Sequence, residues 1–507
     1  MTTVEESARP VRTYGGWRRS RGLGLFGLGP AQTMLVLGAL LTVVFAGAVS
    51  VTAMAVAAVP GAGVVGAVVL RWNGVPLLGH VLRWGRWTWA HARGRIAYRS
   101  GVLAAGPHAW ELPGVLAATE LLHVDDPRGA FGLVRHRRTG LLSVTWRVAA
   151  TSTWLVDPEQ AQAWVAGWGG WLAGLGYLPT LRWIAVTVET VPASGSTLPD
   201  AVAARIAPTA PAVAARILQR LAAAAPRVAA NVNTRVTITV DPAASPAKPH
   251  TVAEGVDELA RALPALEDAL SGCGVTVLGR ATAAQLAAVV RRAYDPGVGD
   301  DLDRLDRLDQ TPLAAPDRAA ERGELLDWAT AGPVAADEHH GHYEHDGATS
   351  VSWAWHEAPR QQVYADVLAR LLAPGPYRKR VTLLYRPLPA ADAARAVDRE
   401  VNAAAFRDAL RAAQRRDEHA RDRADRERAL RAAREEATGA GVGLLSLHAT
   451  TTVTHPDDLD RAVADLEGRA EIARIRLRRA WGGQAAGFAA TLPCGICPPQ
   501  LAAQWPR

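Results

Sequence analysis

The segment AQTMLVLGALLTVVFAGAVSVTAMAVAAVPGAGVVGAVVL, residues 31–70, decides the architecture of this chain. Residues 23–70 carry no charged side chain, and most of them are Ala, Val, Leu or Gly. One membrane-spanning helix needs about 20 apolar residues, so the segment has room for two. We expect helices over 31–49 and 51–70, with a turn at 47–50. A secretory signal peptide is the alternative, but its apolar region of roughly 7–15 residues is much shorter.

Basic residues flank this hairpin on both sides. Residues 1–100 hold 11 Arg against two Glu, a net charge of +9, whereas the rest of the chain has 45 basic and 47 acidic residues. The excess lies where anionic lipid headgroups would meet it, and the turn is uncharged. By the positive-inside rule, the sequence predicts a multi-pass protein of the cell membrane with both termini in the cytoplasm.

The segment after the hairpin is rich in Trp and Arg. We expect 75–93 to form a helix that lies on the headgroups, with a soluble helix that buries its Trp side chains as the alternative. The Trp residues of this segment are Trp72, Trp84, Trp87 and Trp89.

Within the hairpin, Ala62 and Gly66 have the spacing that lets two spanning helices approach closely.

The region beyond residue 105 reads as α/β (α+β), with strand and helix patterns alternating. Residues 142–148 alternate apolar and polar side chains, which predicts a half-buried strand, paired with 131–134 across a turn at 138–140. Asp157, Pro158 and Glu159 are typical of a helix start. The helix that follows carries a core stripe, or else a partner-binding face, formed by Trp164, Trp168 and Trp171.

The same alternation continues to the end of the chain in two series of similar order. Arg-Val-Thr at 235–237 and again at 380–382 opens a strand in each series, which indicates two related mixed domains. Further strands are expected at 181–191, 234–240, 274–279, 349–356, 378–386, 442–454 and 473–478. Helices are expected at 211–225, 252–271, 282–293, 360–372, 389–436 (long and charged) and 456–471.

These patterns divide the chain into seven expected segments. They are a basic cytoplasmic tail (1–22), the transmembrane hairpin (23–70), a juxtamembrane segment (71–105), a first α/β domain (106–295), a linker with one short helical piece (296–347), a second α/β domain with the long charged helix (348–498) and a tail (499–507).

The sequence lacks the common catalytic motifs. Neither Lys248 nor Lys379 stands in a Gly-Lys-Ser/Thr P-loop, and there is no Gly-x-Ser-x-Gly or His-Glu-x-x-His. Three cysteines are too few for a disulfide framework, which fits a reducing compartment. We therefore expect no enzyme activity and assign no catalytic, cofactor-binding or metal-binding residue.

One histidine cluster leaves two interpretations open. Imidazoles with carboxylates nearby are ligands for zinc or nickel, yet the cluster lies in the expected linker, where solvated side chains are the alternative. The cluster consists of His339, His340, His342 and His345.

Two other pairs are also ambiguous. Asp301 and Asp303 have the spacing of a metal–sugar carboxylate pair, but they also fit a charged helix. Cys494 and Cys497 form a lone Cys-x-x-Cys, which is either a redox or metal pair or a pair of inert structural thiols.

Several segments bear a family resemblance. The start of the chain over 14–30, the apolar hairpin, and the segments 149–155 and 352–360 resemble an actinobacterial integral membrane protein family encoded beside conjugation-type (type IV) secretion ATPases. The layout is similar to that of the type VII secretion component EccE. Residues 476–495 also resemble the end of the N-terminal domain of conjugative ATPases, which implies a docking domain and an anchor without a motor.

These resemblances imply a non-enzymatic scaffold that docks a separate ATPase at the cytoplasmic membrane. The expected partners are phospholipid, the secretion ATPase and other membrane subunits in an oligomeric complex. A membrane-associated enzyme, such as a glycosyltransferase-like protein using Asp301 and Asp303, is the alternative. A DNA-handling subunit is a third interpretation, but the near-neutral region after residue 100 indicates no direct contact with nucleic acid.

Overall fold

The computed structural model divides the chain into two compact units. One contains the ranges Tyr98–Val397 and Ala432–Arg507, and the other contains Gly16–Ala97 and Asp398–Arg431. The described residues are 13–15, 30–72, 75–106, 108–151, 156–192, 202–203, 205–207, 209–224, 230–299, 302, 327–359, 361–413 and 420–504.

The apolar segment forms two helices, α1 (Pro30–Val49) and α2 (Val51–Val69), as the sequence predicts. Ser50 separates them, and its hydroxyl accepts a hydrogen bond of 3.0 Å from the Ala53 amide, which caps α2. Both helices are long and apolar enough to cross a membrane.

A short antiparallel pair, β1 (Arg71–Trp72) and β2 (Val75–Pro76), leads from the hairpin into α3 (Leu77–Ala92). The predicted helix over 75–93 is therefore present. The same compact unit holds parts of the expected charged helix, whose described residues form α9 (Ala390–Ala413) and α10 (Ala420–Ala437).

The other unit is built on one sheet of 13 strands. Their order is β3-β10-β11-β12-β14-β13-β7-β8-β6-β5-β4, with β9 on β6 and β15 on β12. The strands are β3 (Ala97–Arg99), β4 (Thr119–Asp126), β5 (Gly129–His136), β6 (Leu142–Ala150), β7 (Leu181–Pro192), β8 (Ala230–Val240), β9 (Val275–Arg280), β10 (Ala335–Glu338), β11 (Tyr343–His345), β12 (Ala348–Glu357), β13 (Arg378–Pro387), β14 (Gly443–Val453) and β15 (Arg476–Arg479).

Strand pairing follows the same plan in the two halves of this sheet. In β4–β9, β5 pairs with the first part of β6 and β9 with the last part, while β8 lies between β6 and β7. In β10–β15, β11 and β15 divide β12 in the same way, and β14 lies between β12 and β13. The halves meet where β7 pairs antiparallel with β13.

Helices cover the sheet and close three main clusters of buried side chains. The first cluster lies under α4 and α6 and includes Trp146 and Leu263. The second contains residues of α7 and α12, and the third contains residues of α8 and α11. The helices are α4 (Pro158–Leu175), α5 (Ala212–Ala224), α6 (Val252–Ser271), α7 (Ala283–Tyr294), α8 (Ala369–Leu372), α11 (Leu459–Ile472), α12 (Gln484–Ala489) and α13 (Pro498–Gln504).

The structure corrects several expectations. Residues 327–347 are not a linker, because β10 and β11 belong to the sheet and Trp328, Ala336 and Tyr343 are buried. The helix expected over 360–372 is confined to α8, and the strand expected over 473–478 is β15. The sequence analysis also missed β4, α12 and α13.

The two Arg-Val-Thr segments lie on strands that are not equivalent. Residues 235–237 belong to β8, whose counterpart is β14, whereas 380–382 belong to β13, whose counterpart is β7. The short match therefore does not align the two halves.

Candidate functional sites

The apolar hairpin presents most of its large side chains to its surroundings. Met34, Phe45, Val51 and Val59 are each at least two-thirds exposed, and Val68 is the buried residue of α2. In water such a surface would be unfavourable by about 25 cal/mol for each Å² of apolar area. The surface of the hairpin is therefore suited to an apolar environment.

The Trp-rich segment after the hairpin is not a soluble core. In α3, whose residues are all described, none is buried, and Trp72, Trp84 and Trp89 are each at least half exposed. The guanidinium carbon of Arg93 lies 4.2 Å from the centre of the Trp89 ring. Exposed Trp beside Arg is typical of a membrane interface.

The two helices of the hairpin are in close contact at Gly61. A Cβ atom at Gly61 would lie 2.9 Å from Cγ2 of Val43, whereas one at Gly66 would meet nothing within 4 Å. Gly61 therefore lies at the contact between the helices, and Gly66 does not.

The Trp stripe of α4 packs inward, as the core interpretation predicts. Trp171 is buried and Trp168 packs against the same cluster, with ring centres 5.3 Å apart in an edge-to-face arrangement. Gly274 lies against the Trp164 ring. These contacts leave the stripe in the core rather than on a partner-binding face.

Cys494 and Cys497 are buried beside a small cavity lined by His136, Ser143 and Trp183. Burial raises the pKa of both thiols, although the Gln500 amide opposes the rise at Cys497. A thiol must ionise to act as a nucleophile or a metal ligand. The arrangement therefore favours structural thiols over a redox pair, even though α13 begins directly after Cys497.

The four histidines of the cluster separate into three environments. His339 and His342 lie on the turn between β10 and β11, next to Glu344. His340 stacks on Trp481, with ring centres 5.4 Å apart. His345 points into the core.

The buried position of His345 has an electrostatic consequence. Its Nδ1 lies 2.5 Å from the Tyr294 carbonyl oxygen and its Nε2 lies 2.8 Å from Oγ of Ser350. Burial lowers the pKa of His345 to about 4, so the ring is neutral at physiological pH. Since both ring nitrogens are engaged by Tyr294 and Ser350, His345 has a structural role.

The carboxylate pair considered for sugar chemistry, Asp301 and Asp303, lies outside the described residues. Between them, Leu302 is described and is 3% exposed.

The sequence analysis missed a buried charge cluster at the junction of the two halves. Arg378 of β13 donates to Oε1 of Glu189 on β7 at 2.7 Å, and Arg235 of β8 donates to Oε2 at 3.0 Å. Arg380 Nη1 lies 4.0 Å from the same carboxylate, and its guanidinium stacks on Phe488. The sequence did indicate this cluster, because charged residues stand inside strand patterns that are otherwise largely apolar.

This cluster has a strongly perturbed carboxylate. Burial acts to raise the pKa of Glu189, but the charges of Arg378, Arg235 and Arg380 together hold it well below its usual range. Among the described residues, Nη1 and Nη2 of Arg380 have no hydrogen-bond partner. The cluster joins β7, β8 and β13, which indicates a structural role at the junction.

Comparison with known proteins gives no assignment. No protein-family model matches the chain, and no curated protein matches it. The secretion-system resemblance therefore stays a prediction.

Proposed function

We propose that this chain is a non-enzymatic, membrane-anchored component of a conjugation-like (type IV) or type VII secretion machine. It docks a separate ATPase at the cell membrane, with both termini in the cytoplasm. The observation that carries the anchor is the hairpin α1–α2, whose apolar surface is exposed on helices long enough to span a membrane. The family resemblance is the basis for proposing a secretion machine. The absence of a P-loop from the sequence supports an ATPase that is a separate protein.

An exposed apolar stripe supports a docking role for the soluble region. Val213, Ile217 and Leu221 follow one another at intervals of four residues along α5, and each is more than half exposed. Contiguous exposed apolar side chains are typical of interaction sites on soluble surfaces. We propose that the ATPase contacts this stripe.

We also infer that the two halves of the sheet are related mixed domains. In addition to the shared pairing plan, Trp146 of β6 donates to Glu267 of α6 at 2.7 Å, and Trp353 of β12 donates to Glu467 of α11 at 2.9 Å. The residues opposite these two Trp, on β9 and β15, are both Arg.

Pairs of hydroxyl side chains strengthen this inference. Two such pairs join β6 to β8 and two join β12 to β14. In each half, the hydroxyl residues of β6 or β12 precede the Trp residue of the same strand by the same numbers of positions along the sequence. The pairs are Ser143–Thr239 and Thr145–Thr237 in the first half, and Ser350–Thr452 and Ser352–Thr450 in the second.

Purification of the full chain from native membranes in mild detergent tests the proposal. We expect a P-loop ATPase, identified by mass spectrometry, to co-purify with the wild type. Replacement of Val213, Ile217 and Leu221 by Gln should remove the ATPase and leave the chain in the membrane fraction, because the hairpin is unchanged.

A matched control replaces three equally exposed apolar residues on other elements, namely Leu278, Leu444 and Ile472, by Gln. This variant should retain the ATPase. The docking proposal fails if the wild type purifies without an ATPase or if both triple variants behave alike, and the anchor fails if the intact chain stays in the supernatant when membranes are pelleted.

A further inference from the structure

The turn between β10 and β11 brings three potential metal ligands together. Nε2 of His339 lies 3.4 Å from Oε2 of Glu344, and Nε2 of His342 lies 3.1 Å from Oε1 of the same carboxylate. The two imidazole rings are stacked, with centres 4.4 Å apart and planes at 15°. All three ligand atoms lie within 4.8 Å of one another.

These separations suit a single metal ion. Zinc binds imidazole nitrogen and carboxylate oxygen at about 2.0–2.2 Å in a tetrahedral arrangement, so two ligand atoms on one ion lie roughly 3.4 Å apart. The nitrogen–oxygen distances of 3.1 and 3.4 Å are close to that value, and the two stacked rings have to turn about their side-chain bonds to aim both nitrogens at one ion. Two imidazoles and one carboxylate are also a ligand set that transition metals prefer over magnesium or calcium.

The backbone that carries these ligands is fixed from several sides. The amide of His339 donates to the carbonyl of His342 at 2.9 Å, which closes the turn. Arg479 donates to the Gly341 carbonyl at 2.8 Å, and the Gly482 amide donates to the His340 carbonyl at 2.8 Å.

Side chains of β10, at the start of the β10–β11 hairpin, add to this support. Arg99 holds Asp337 through two hydrogen bonds of 3.0 and 2.9 Å, and the partly buried Glu338 accepts from the Ala485 amide at 3.2 Å. Ligands on a rigid hairpin bind a metal more tightly than ligands on a flexible chain, because less ordering is required.

We propose that His339, His342 and Glu344 form a binding site for a divalent transition metal of the zinc class, which nothing in the chain's resemblance assigns. Three protein ligands leave a fourth coordination position. The side chains of His339 and Glu344 are about half exposed, so that position is open to water or to a side chain of a partner protein.

Zinc titration of the full chain in detergent, purified without a polyhistidine tag and stripped with EDTA, tests the site. Competition with a chromogenic chelator should reveal one zinc ion per chain. His339→Ala, His342→Ala and Glu344→Gln should each weaken binding by more than about tenfold, because losing a ligand costs at least as much as losing its supporting contacts.

His123→Ala is the matched control, because His123 is also an exposed imidazole, 3.5 Å from the carboxylate of Asp125. This variant should bind zinc as the wild type does. His342→Gln, which retains the side-chain size, replaces His342→Ala if the latter does not fold. Cobalt substitution should give the strong visible bands of tetrahedral Co²⁺ in the wild type and in His123→Ala, and not in the variants of His339, His342 or Glu344.

The proposal is overturned if the wild type binds no more zinc than the double variant His339→Ala/His342→Ala, or if His123→Ala loses binding to the same extent. Because the assay needs no secretion partner, its result is independent of the docking proposal.

Discussion

Glu189 is a single acidic residue that balances three cations inside the sheet. Its side chain is 3% exposed, and those of Arg235 and Arg378 are 9% and 7% exposed. Removing one partner from a buried ion pair leaves the other charge uncompensated in a medium of low dielectric constant. Loss of this carboxylate should therefore lower the free energy of unfolding by more than loss of a carboxylate from an ion pair at the surface.

We expect Glu189→Gln to lower the free energy of unfolding by about 3–5 kcal/mol, measured by chemical denaturation of the detergent-solubilised chain. Glu120→Gln is the control, since Glu120 and Arg135 form an ion pair that is about 30% exposed, and it should cost at most about 1 kcal/mol. Equal losses in the two variants would contradict the structural role of the cluster.

The same residue predicts a pH dependence. Because the folded-state pKa of Glu189 lies below that of the unfolded chain, its contribution is complete above a pH of about 4.3 and declines as the pH falls further. The Gln variant should lack this part of the acid sensitivity.

Among the elements, those with strong periodic patterns were predictable. Helix α6 begins at Val252 and ends at Ser271, as expected, because Thr251 caps it and apolar residues recur along one side. Strand β6 follows its alternating pattern. Strands β10 and β11 were missed because they are short, with four and three residues respectively, and rich in Asp, Glu and His. So short a polar segment shows no apolar–polar alternation, and it forms a strand because of its neighbours in the sheet.

The contact between α1 and α2 gives a prediction at the level of the element. Oxidation of the double variant Val43→Cys/Gly61→Cys in membranes should form an intramolecular disulfide, because the two positions are in close contact. The pair Val43→Cys/Gly66→Cys should not. The loss of alkylatable thiols, read by mass spectrometry, measures the outcome, and equal cross-linking of both pairs would contradict the helix contact.

For the whole molecule, the sequence indicated two similar series but not their arrangement. Arg-Val-Thr drew attention to β8 and β13, which are not counterparts, whereas the matching Trp–Glu pairs join strands to helices more than 100 residues away. Pairings over such distances leave no local pattern. This is why the single sheet that joins the halves could not be predicted.

The matched Trp–Glu pairs predict matched energetics. Trp146→Phe and Trp353→Phe should each lower the free energy of unfolding by about 1–3 kcal/mol, because a carboxylate loses its indole donor. The double variant should show the sum to within about 0.5 kcal/mol, since the pairs share no partner.

Trp110→Phe serves as the control for these variants. Trp110 is 54% exposed, and its replacement should change the free energy of unfolding by less than about 0.5 kcal/mol. A loss confined to one half would contradict the equivalence of the two pairs.

The antiparallel seam between β7 and β13, with the hydroxyls of Thr187 and Thr382 2.8 Å apart at its centre, bears on biosynthesis. As the chain emerges from the ribosome, β7 is complete long before residue 378 exists. Its free backbone groups therefore stand as an open edge through the synthesis of the intervening residues, a period when unpaired strands are most prone to join a wrong neighbour. The pairing of β7 with β13 closes that edge and makes one sheet out of two halves.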